Sequence, residues 1–231
     1  MIFVESEHGP GVVGFVGGEN ARYHSFTMCY TALNCPPESR GYSGLGYDVA
    51  YNRNAIIKHA LDWPEAQWVQ IWDDDHVFSP DTLLRLLDKK VDVIVPFYRQ
   101  RQPPCRPCIY KQEMDNGAYA IFTDLDLEGM DGHIPVISAG AGGVLIRRRV
   151  LEAFPDPWFE RRGLIGEDHM FFKKCREAGF QPWCALDVGI GHSTTVEVWP
   201  MKNEKGQHGT SIDLKGEAPN KVELWHEKYR G

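Results

Sequence analysis

Five short apolar runs, separated by segments with helical periodicity, constrain the fold of this chain more than any other feature. The runs occupy residues 11–16, 67–72, 91–97, 143–147 and 182–188. Helices are predicted over 51–62, from an N-cap at Ser79, and over 167–178. This alternation of buried strands with helices predicts an α/β domain, with a mostly parallel central sheet flanked by helices.

The alternation extends over residues 1–199, which we expect to form one domain. The remaining residues, 200–231, are polar and rich in glycine, so we expect a lid loop followed by a short tail on the same domain. Within that segment, residues 202–209 are predicted to close over a site and exclude water. The last ten residues before Gly231 are predicted to form a short helix.

Composition and charge exclude several classes of protein. The 231 residues include 42% hydrophobic and 25% charged side chains, which excludes intrinsic disorder. A net charge of −7 disfavours nucleic acid as the default partner. No run reaches the ~18 apolar residues of a membrane span, and the N-terminal sequence lacks a secretory signal, so we expect a cytoplasmic protein without a membrane partner. Six scattered cysteines, including a CxxC at Cys105 and Cys108, are expected to be reduced thiols.

The strongest local signal is the segment VQIWDDDHVFSPDTLL, in which an apolar strand runs into three aspartates. In an extended backbone Asp73 and Asp75 would point to one side and Asp74 to the other. Oxygen ligands at the end of a buried strand suit Mg²⁺ or Mn²⁺ holding a diphosphate. The alternative interpretation is a solvated acidic turn before a capped helix.

Three further segments carry candidate site residues. Glu167 and Asp168 begin a helix, where the dipole favours carboxylates whatever their function, and one of them is a candidate general base. His192 follows a strand and two glycines, and an imidazole there would favour Mn²⁺ over Mg²⁺. Gly142 and Gly143 precede a strand and would leave room for a sugar ring or relieve a bend.

In chain order, these pieces resemble the GT-A nucleotide-sugar glycosyltransferases, particularly family 2 and its small phage and bacterial relatives. The resemblance rests on a first strand, a helix with the RN pair, a strand with DxD, a glycine-rich strand with LIRR, then ED and a late histidine. It covers residues 12–195 and implies a single GT-A (Rossmann-like) domain. The chain lacks the GxGxxG, GxxxxGK[ST] and GxSxG patterns of other nucleotide-binding or hydrolytic folds.

The resemblance also implies roles for individual residues. By that resemblance, the nucleotide would be bordered by Gly17, Glu19, Arg53, Asp73 and Asp74. The metal would be held by Asp75 and His192, with Asp73 facing it or the ribose; Mn²⁺ is expected, with Mg²⁺ as the alternative. The donor sugar would lie by Gly142 and Gly143, and Arg99 or Arg101 would reach the diphosphate or the acceptor. The base would be Asp168, with Glu167 as the fallback.

The reaction implied is transfer of a sugar, with inversion, from a nucleoside-diphosphate sugar to an acceptor hydroxyl. Two alternatives stay open, a sugar-phosphate nucleotidyltransferase and a sugar-nucleotide-binding module that has lost turnover. The acceptor is undetermined, and a modified DNA base is a less favoured choice for it. A phage-encoded protein in the host cytoplasm, as monomer or homodimer, is compatible with this interpretation.

Overall fold

The computed structural model describes residues 1–17, 24–102, 104–194, 196–205, 208–214 and 221–225. The strands, in chain order, are β1 (Ile2–Phe3), β2 (Val12–Gly17), β3 (Asn34–Cys35), β4 (Arg40–Leu45), β5 (Trp68–Asp73), β6 (His76–Val77), β7 (Val93–Phe97), β8 (Ile109–Glu113), β9 (Tyr119–Ile121), β10 (His133–Pro135), β11 (Ser138–Ala139), β12 (Val144–Arg147), β13 (Pro182–Gly189), β14 (Gly191–His192), β15 (Val196–Lys202), β16 (His208–Leu214) and β17 (Lys221–Trp225). The helices are α1 (His24–Ala32), α2 (Val49–Leu61), α3 (Thr82–Leu87), α4 (Asp124–Leu127), α5 (Arg148–Glu152) and α6 (Glu167–Glu177). The chain therefore has the predicted α/β character.

The central sheet has seven strands in the order β10-β13-β7-β12-β5-β2-β4. Strands β2, β4 and β5 are mutually parallel, and so are β7 and β13. Strand β12 runs antiparallel to both of its neighbours, and β10 runs antiparallel to β13. The prediction of a mostly parallel sheet is therefore wrong, and the sheet is mixed.

The direction of β12 follows from where the chain enters it. The Gly143 amide donates to the Ile71 carbonyl over 2.8 Å, close to the carboxyl end of β5. At φ 86°, Gly143 turns the chain directly into β12, a conformation that glycine adopts without strain. Because β12 begins at the edge where β5 ends, it must run back across the sheet.

Helices cover both faces of this sheet. On one face, α2 and α6 bury Ile56, Ile57, Phe171 and Phe172 among the most enclosed residues of the core. On the other face, Phe26 of α1 and the leucines of α3 pack with Trp68 and Trp72 of β5. Strand β5 is thus covered on both sides, which explains its unbroken apolar run.

Two helix starts differ slightly from the predicted ones. Helix α2 begins at Val49 rather than at residue 51, because the Asp48 carboxylate caps it by accepting from the Tyr51 amide at 2.9 Å. The N-cap of α3 is Asp81 rather than Ser79, whose hydroxyl donates to the Asp81 carboxylate at 2.7 Å.

The C-terminal segment differs from the expectation of a loop and a helix. Strands β15, β16 and β17 form an antiparallel sheet, so the predicted terminal helix is wrong over 221–225. The expected lid, 202–209, corresponds to the connection between β15 and β16 with the adjoining strand ends, and its residues 206 and 207 lie outside the described residues. Its closing role stays a prediction. Among the helices of the described residues, none has the length and apolar character needed to cross a membrane.

Candidate functional site

The three aspartates lie where β5 leaves the core. Strand β5 ends at Asp73, the chain turns at Asp74 and Asp75, and β6 follows at once. Strand β6 pairs with β14 in antiparallel register, which places His192 opposite His76. The Ser193 amide also donates to the Asp75 carbonyl over 2.7 Å. Backbone pairing therefore brings residues more than a hundred positions apart to one edge of the sheet.

Asp75, His76 and His192 form a compact cluster whose ligand atoms all lie within 4.8 Å of one another. The Asp75 carboxylate is 3.3 Å from Nε2 of His192 and 3.6 Å from Nδ1 of His76. The two imidazole rings stack with their centroids 4.7 Å apart. Sequence reasoning placed Asp75 and His192 together but missed His76, although it directly follows the three aspartates.

The hydrogen bonds of the cluster leave several lone pairs without a donor. The Arg99 carbonyl lies 3.0 Å from Nδ1 of His192, so that nitrogen must donate. In the neutral ring Nε2 then has only a lone pair to present to the Asp75 carboxylate. Both ring nitrogens of His76 and Oδ1 of Asp75 are buried without a hydrogen-bond partner among the described residues. A cation would accept the lone pairs of Asp75 Oδ1 and of the unprotonated His76 nitrogen.

The pKa shifts agree with this arrangement. Burial lowers the pKa of His76, which is 1% exposed, and so favours the neutral ring that a metal ligand requires. Burial alone would raise the pKa of Asp75, but the two adjacent histidines and Arg101 together lower it. One carboxylate and two neutral imidazoles form a donor set that fits a divalent ion.

Asp73 lies beside the cluster but contacts an arginine. Arg53 of α2 donates to both carboxylate oxygens of Asp73, at 2.8 and 3.2 Å, and to Glu167 at 3.1 Å. Glu167 also accepts from Arg161 at 3.1 Å. The Arg53 side chain, 4% exposed, therefore links α2, β5 and α6. The roles predicted for Asp73 and Arg53 in nucleotide or metal binding stay predictions.

Gly142 lies against the cluster, while Gly143 faces the core. A Cβ on Gly142 would lie 2.3 Å from Cε1 of His76 and 2.9 Å from Oδ2 of Asp73, so this position has no room for a side chain. A Cβ on Gly143 would meet Trp72 and Pro96 at 2.8 Å instead. The predicted contacts of both glycines with a donor sugar stay predictions.

Asp168 occupies the first turn of α6, where its Oδ1 accepts from the His169 amide at 2.7 Å. Burial raises the pKa of Asp168, while His169 and Arg53 oppose that rise. The His169 ring is fixed on its other side, since its Nδ1 is 2.7 Å from the Ser138 hydroxyl and the ring stacks on Tyr119. Asp168 thus takes up a proton more readily than an ordinary aspartate, and its role as base stays a prediction.

Two pockets open on either side of the cluster. One, of about 190 Å³, is lined by Val16, Gly17, Tyr47, Val49, Asn52 and the three aspartates. Of the predicted nucleotide contacts, Gly17, Asp73 and Asp74 therefore line this pocket, and Glu19 lies outside the described residues. The other pocket, of about 510 Å³, is formed by residues 97–101 and 189–192 together with Cys105 and Thr194.

The two predicted basic residues of the larger pocket have different partners. Arg101 donates to Oδ2 of Asp75 at 2.9 Å and so contacts the cluster. Arg99 pairs with Asp124 and donates to the Cys105 carbonyl at 3.2 Å. Arg99 is thus directed away from the cluster through its side chain, although its backbone carbonyl holds His192.

Comparisons with known proteins give a likeness in structure and none in sequence. No protein family's sequence profile and no curated protein matches the chain. Among solved structures, the protein A197 from STIV is similar with a TM-score of 0.56 and 14% identity over 95% of both chains. A structure of GalNAc-T7 with UDP, GalNAc and Mn²⁺ has a TM-score of 0.54 and 11% identity, over 81% of this chain and 44% of that one. At these identities the likeness supports a GT-A-like fold alone.

Proposed function

We propose that this protein is a metal-dependent glycosyltransferase that moves a sugar from a nucleoside-diphosphate sugar to an acceptor hydroxyl. The observation that carries the proposal is the position of the Asp75, His76 and His192 cluster between two pockets at the edge of the sheet. The fold likeness to a protein solved with UDP, GalNAc and Mn²⁺ supports the same reading.

The divalent ion would be held by Asp75, His76 and His192. Two imidazole nitrogens with one carboxylate suit Mn²⁺ better than Mg²⁺, which prefers oxygen ligands throughout. When bound, the ion neutralises charge on the diphosphate as it leaves. The Arg99 carbonyl fixes the tautomer of His192 so that Nε2 presents its lone pair toward the ligand position.

The nucleoside would occupy the smaller pocket. Tyr47 lines it and is 66% exposed, so its ring offers a face on which a base can stack. Asp73 and Asp74 line the same pocket and offer acceptors for ribose hydroxyls. This arrangement would bring the diphosphate to the cluster and the donor sugar toward the side-chain-free position at Gly142.

Asp168 is the base that the charge distribution favours. Glu167 accepts hydrogen bonds from Arg53 and Arg161, which hold its carboxylate in place. Asp168, whose pKa is raised by burial, is better suited to take a proton. It would accept the acceptor's hydroxyl proton as that oxygen bonds to the anomeric carbon and the bond to the diphosphate breaks. Attack from the face opposite the leaving group inverts the anomeric configuration.

A thermal-shift panel tests the donor first. UDP-, GDP-, CDP- and TDP-sugars are added with and without Mn²⁺, and one of them is expected to raise the unfolding midpoint only with the ion. His76→Ala and His192→Ala should abolish that dependence, whereas His133→Ala, on an exposed strand position, should keep it. A panel in which no donor shifts the midpoint would contradict the assignment.

Product analysis then separates this function from its alternatives. Release of a nucleoside diphosphate with glycosylation of an acceptor supports transfer, and NMR of the product tests inversion. Release of pyrophosphate from a sugar phosphate and a nucleoside triphosphate would identify a nucleotidyltransferase. Donor binding without transfer or hydrolysis, unchanged by Asp168→Asn, would identify a binding module.

A further inference from the structure

Arg101 binds the same carboxylate, that of Asp75, that the proposed ion would use. Its NH1 lies 2.9 Å from Oδ2 of Asp75, and Nε2 of His192 lies 3.3 Å from that same oxygen. The Asp75 side chain is only 17% exposed, whereas that of Arg101 is 46% exposed. A largely solvated cation therefore reaches inward to a carboxylate that has few other neutralising contacts.

The loop that carries Arg101 is held together by its own hydrogen bonds. The Gln100 amide donates to the Arg106 carbonyl over 2.9 Å, and the Cys105 amide donates to the Gln102 carbonyl over 2.8 Å. Arg99 and Pro107 form a bridge at the base of the loop. The Arg101 guanidinium can thus leave Asp75 without breaking any of these bonds.

A guanidinium and a divalent ion on one carboxylate would repel each other. The repulsion is strong here because Asp75 is mostly screened from water, which lowers the effective dielectric constant around the pair. The released guanidinium would find a new partner nearby, since Arg101 lines the larger pocket next to His192. Arginine binds phosphate oxygens in the same bidentate way that it binds carboxylates.

We propose that Arg101 and the divalent ion compete for Asp75, and that the guanidinium displaced by the ion then binds the diphosphate of the donor. This inference rests on the metal site of the proposed function. Arg101 would therefore weaken ion binding and strengthen diphosphate binding, and its guanidinium would be free to bind the diphosphate only when the ion is present.

The test measures the two affinities separately. Mn²⁺ is titrated into the wild-type protein, Arg101→Ala and Arg106→Ala, with binding followed by calorimetry and by the EPR signal of free Mn²⁺. Loss of a competing pair of this exposure is expected to tighten Mn²⁺ binding in Arg101→Ala by about five-fold. Arg106→Ala removes the same charge from an exposed position of the same loop, where no hydrogen bond to Asp75 occurs among the described residues, and is expected to change Mn²⁺ affinity by less than about two-fold at physiological salt.

The second measurement uses inorganic pyrophosphate at saturating Mn²⁺. Arg101→Ala should bind it more weakly than the wild-type protein, and Arg101→Lys should lie between them because it keeps the charge and loses the bidentate geometry. Unchanged or weaker Mn²⁺ binding in Arg101→Ala, while the wild-type protein binds the ion, overturns the competition and leaves the proposed function standing. Wild-type pyrophosphate affinity in Arg101→Ala overturns the second half of the inference. No Mn²⁺ binding by any of these proteins overturns both the inference and the proposed metal site.

Discussion

Replacing Arg53 with methionine should destabilise the protein far more than an equivalent change at the surface. Arg53 is the centre of a charge network in which its guanidinium donates to Asp73 and to Glu167. Burial would lower its pKa, but the charges of Asp73, Asp168 and Glu167 raise it, so the side chain is a fixed cation. Methionine keeps much of the aliphatic volume and removes only the charge and the hydrogen bonds.

The size of the effect follows from the exposure of the partners. Removing one member of a fully buried pair costs about 3–5 kcal/mol, because the other charge is left without a partner. Asp73 is 29% exposed, and Glu167, at 13%, keeps its bond to Arg161, so both retain part of their stabilisation. We therefore expect a loss of about 2–3 kcal/mol in the free energy of unfolding, or roughly 5–10 °C in the midpoint for a chain of this size.

Chemical and thermal denaturation would compare the stability of Arg53→Met with that of the surface control Arg149→Met. Arg149 donates to both oxygens of Asp92, at 2.6 and 2.8 Å, but its side chain is 71% exposed. The control thus loses the same charge and two hydrogen bonds to one carboxylate, but at an exposed site, and its loss of stability should be clearly smaller. Equal losses of unfolding free energy in the two variants would refute the argument that burial makes the Arg53 network important for stability.

Three further predictions concern the site itself. Gly142→Ala should weaken Mn²⁺ binding, measured by calorimetry, by about ten-fold or more, because its Cβ would press on His76. The control Gly189→Ala should bind Mn²⁺ as the wild type does, because a Cβ there has nothing within 4 Å. Asp168→Asn should slow transfer by about 10²–10⁴-fold yet raise the unfolding midpoint at pH 7. The raised pKa of Asp168 means that the folded state favours the neutral carboxyl group, so the wild-type protein is less stable above that pKa. The stability gained by Asp168→Asn should therefore vanish as the pH falls through the pKa of Asp168. For the same reason the acid limb of the wild-type transfer rate should lie above the usual range of an aspartate. Because the charge of Glu167 contributes to the raised pKa of Asp168, Glu167→Gln should lower the unfolding midpoint and move that limb to lower pH.

The strands could be predicted from apolar runs, but their directions could not. An apolar run has the same composition whichever way the strand points, so the run at 143–147 does not distinguish an antiparallel strand from a parallel one. The sequence nevertheless contained a conflict. The aspartates follow a strand whereas Gly142 precedes one, and two such segments can share one edge of a sheet only if their strands run in opposite directions.

The grouping of the three aspartates could not be derived from alternation. The rule that Asp73 and Asp75 share a side holds only for an extended backbone. The chain turns at Asp74 and Asp75, so Asp73 contacts Arg53 while Asp75 contacts the histidines. The same turn brings His76 back against Asp75, and a strict alternation pattern would have assigned it to the opposite side.

The sequence alone could not decide which of the two acids at the start of α6, Glu167 or Asp168, is the base. Successive residues on a helix point about 100° apart, so Glu167 and Asp168 face different surroundings. Glu167 accepts hydrogen bonds from Arg53 and Arg161, which lie 114 and 6 positions away in the chain, and no local sequence pattern indicates the contact with Arg53. Asp168 accepts from the His169 amide and, among the residues that the structure describes, from no arginine side chain. Glu167 is thus engaged by two guanidinium groups, whereas burial raises the pKa of Asp168, so long-range contacts and burial are what distinguish the two acids.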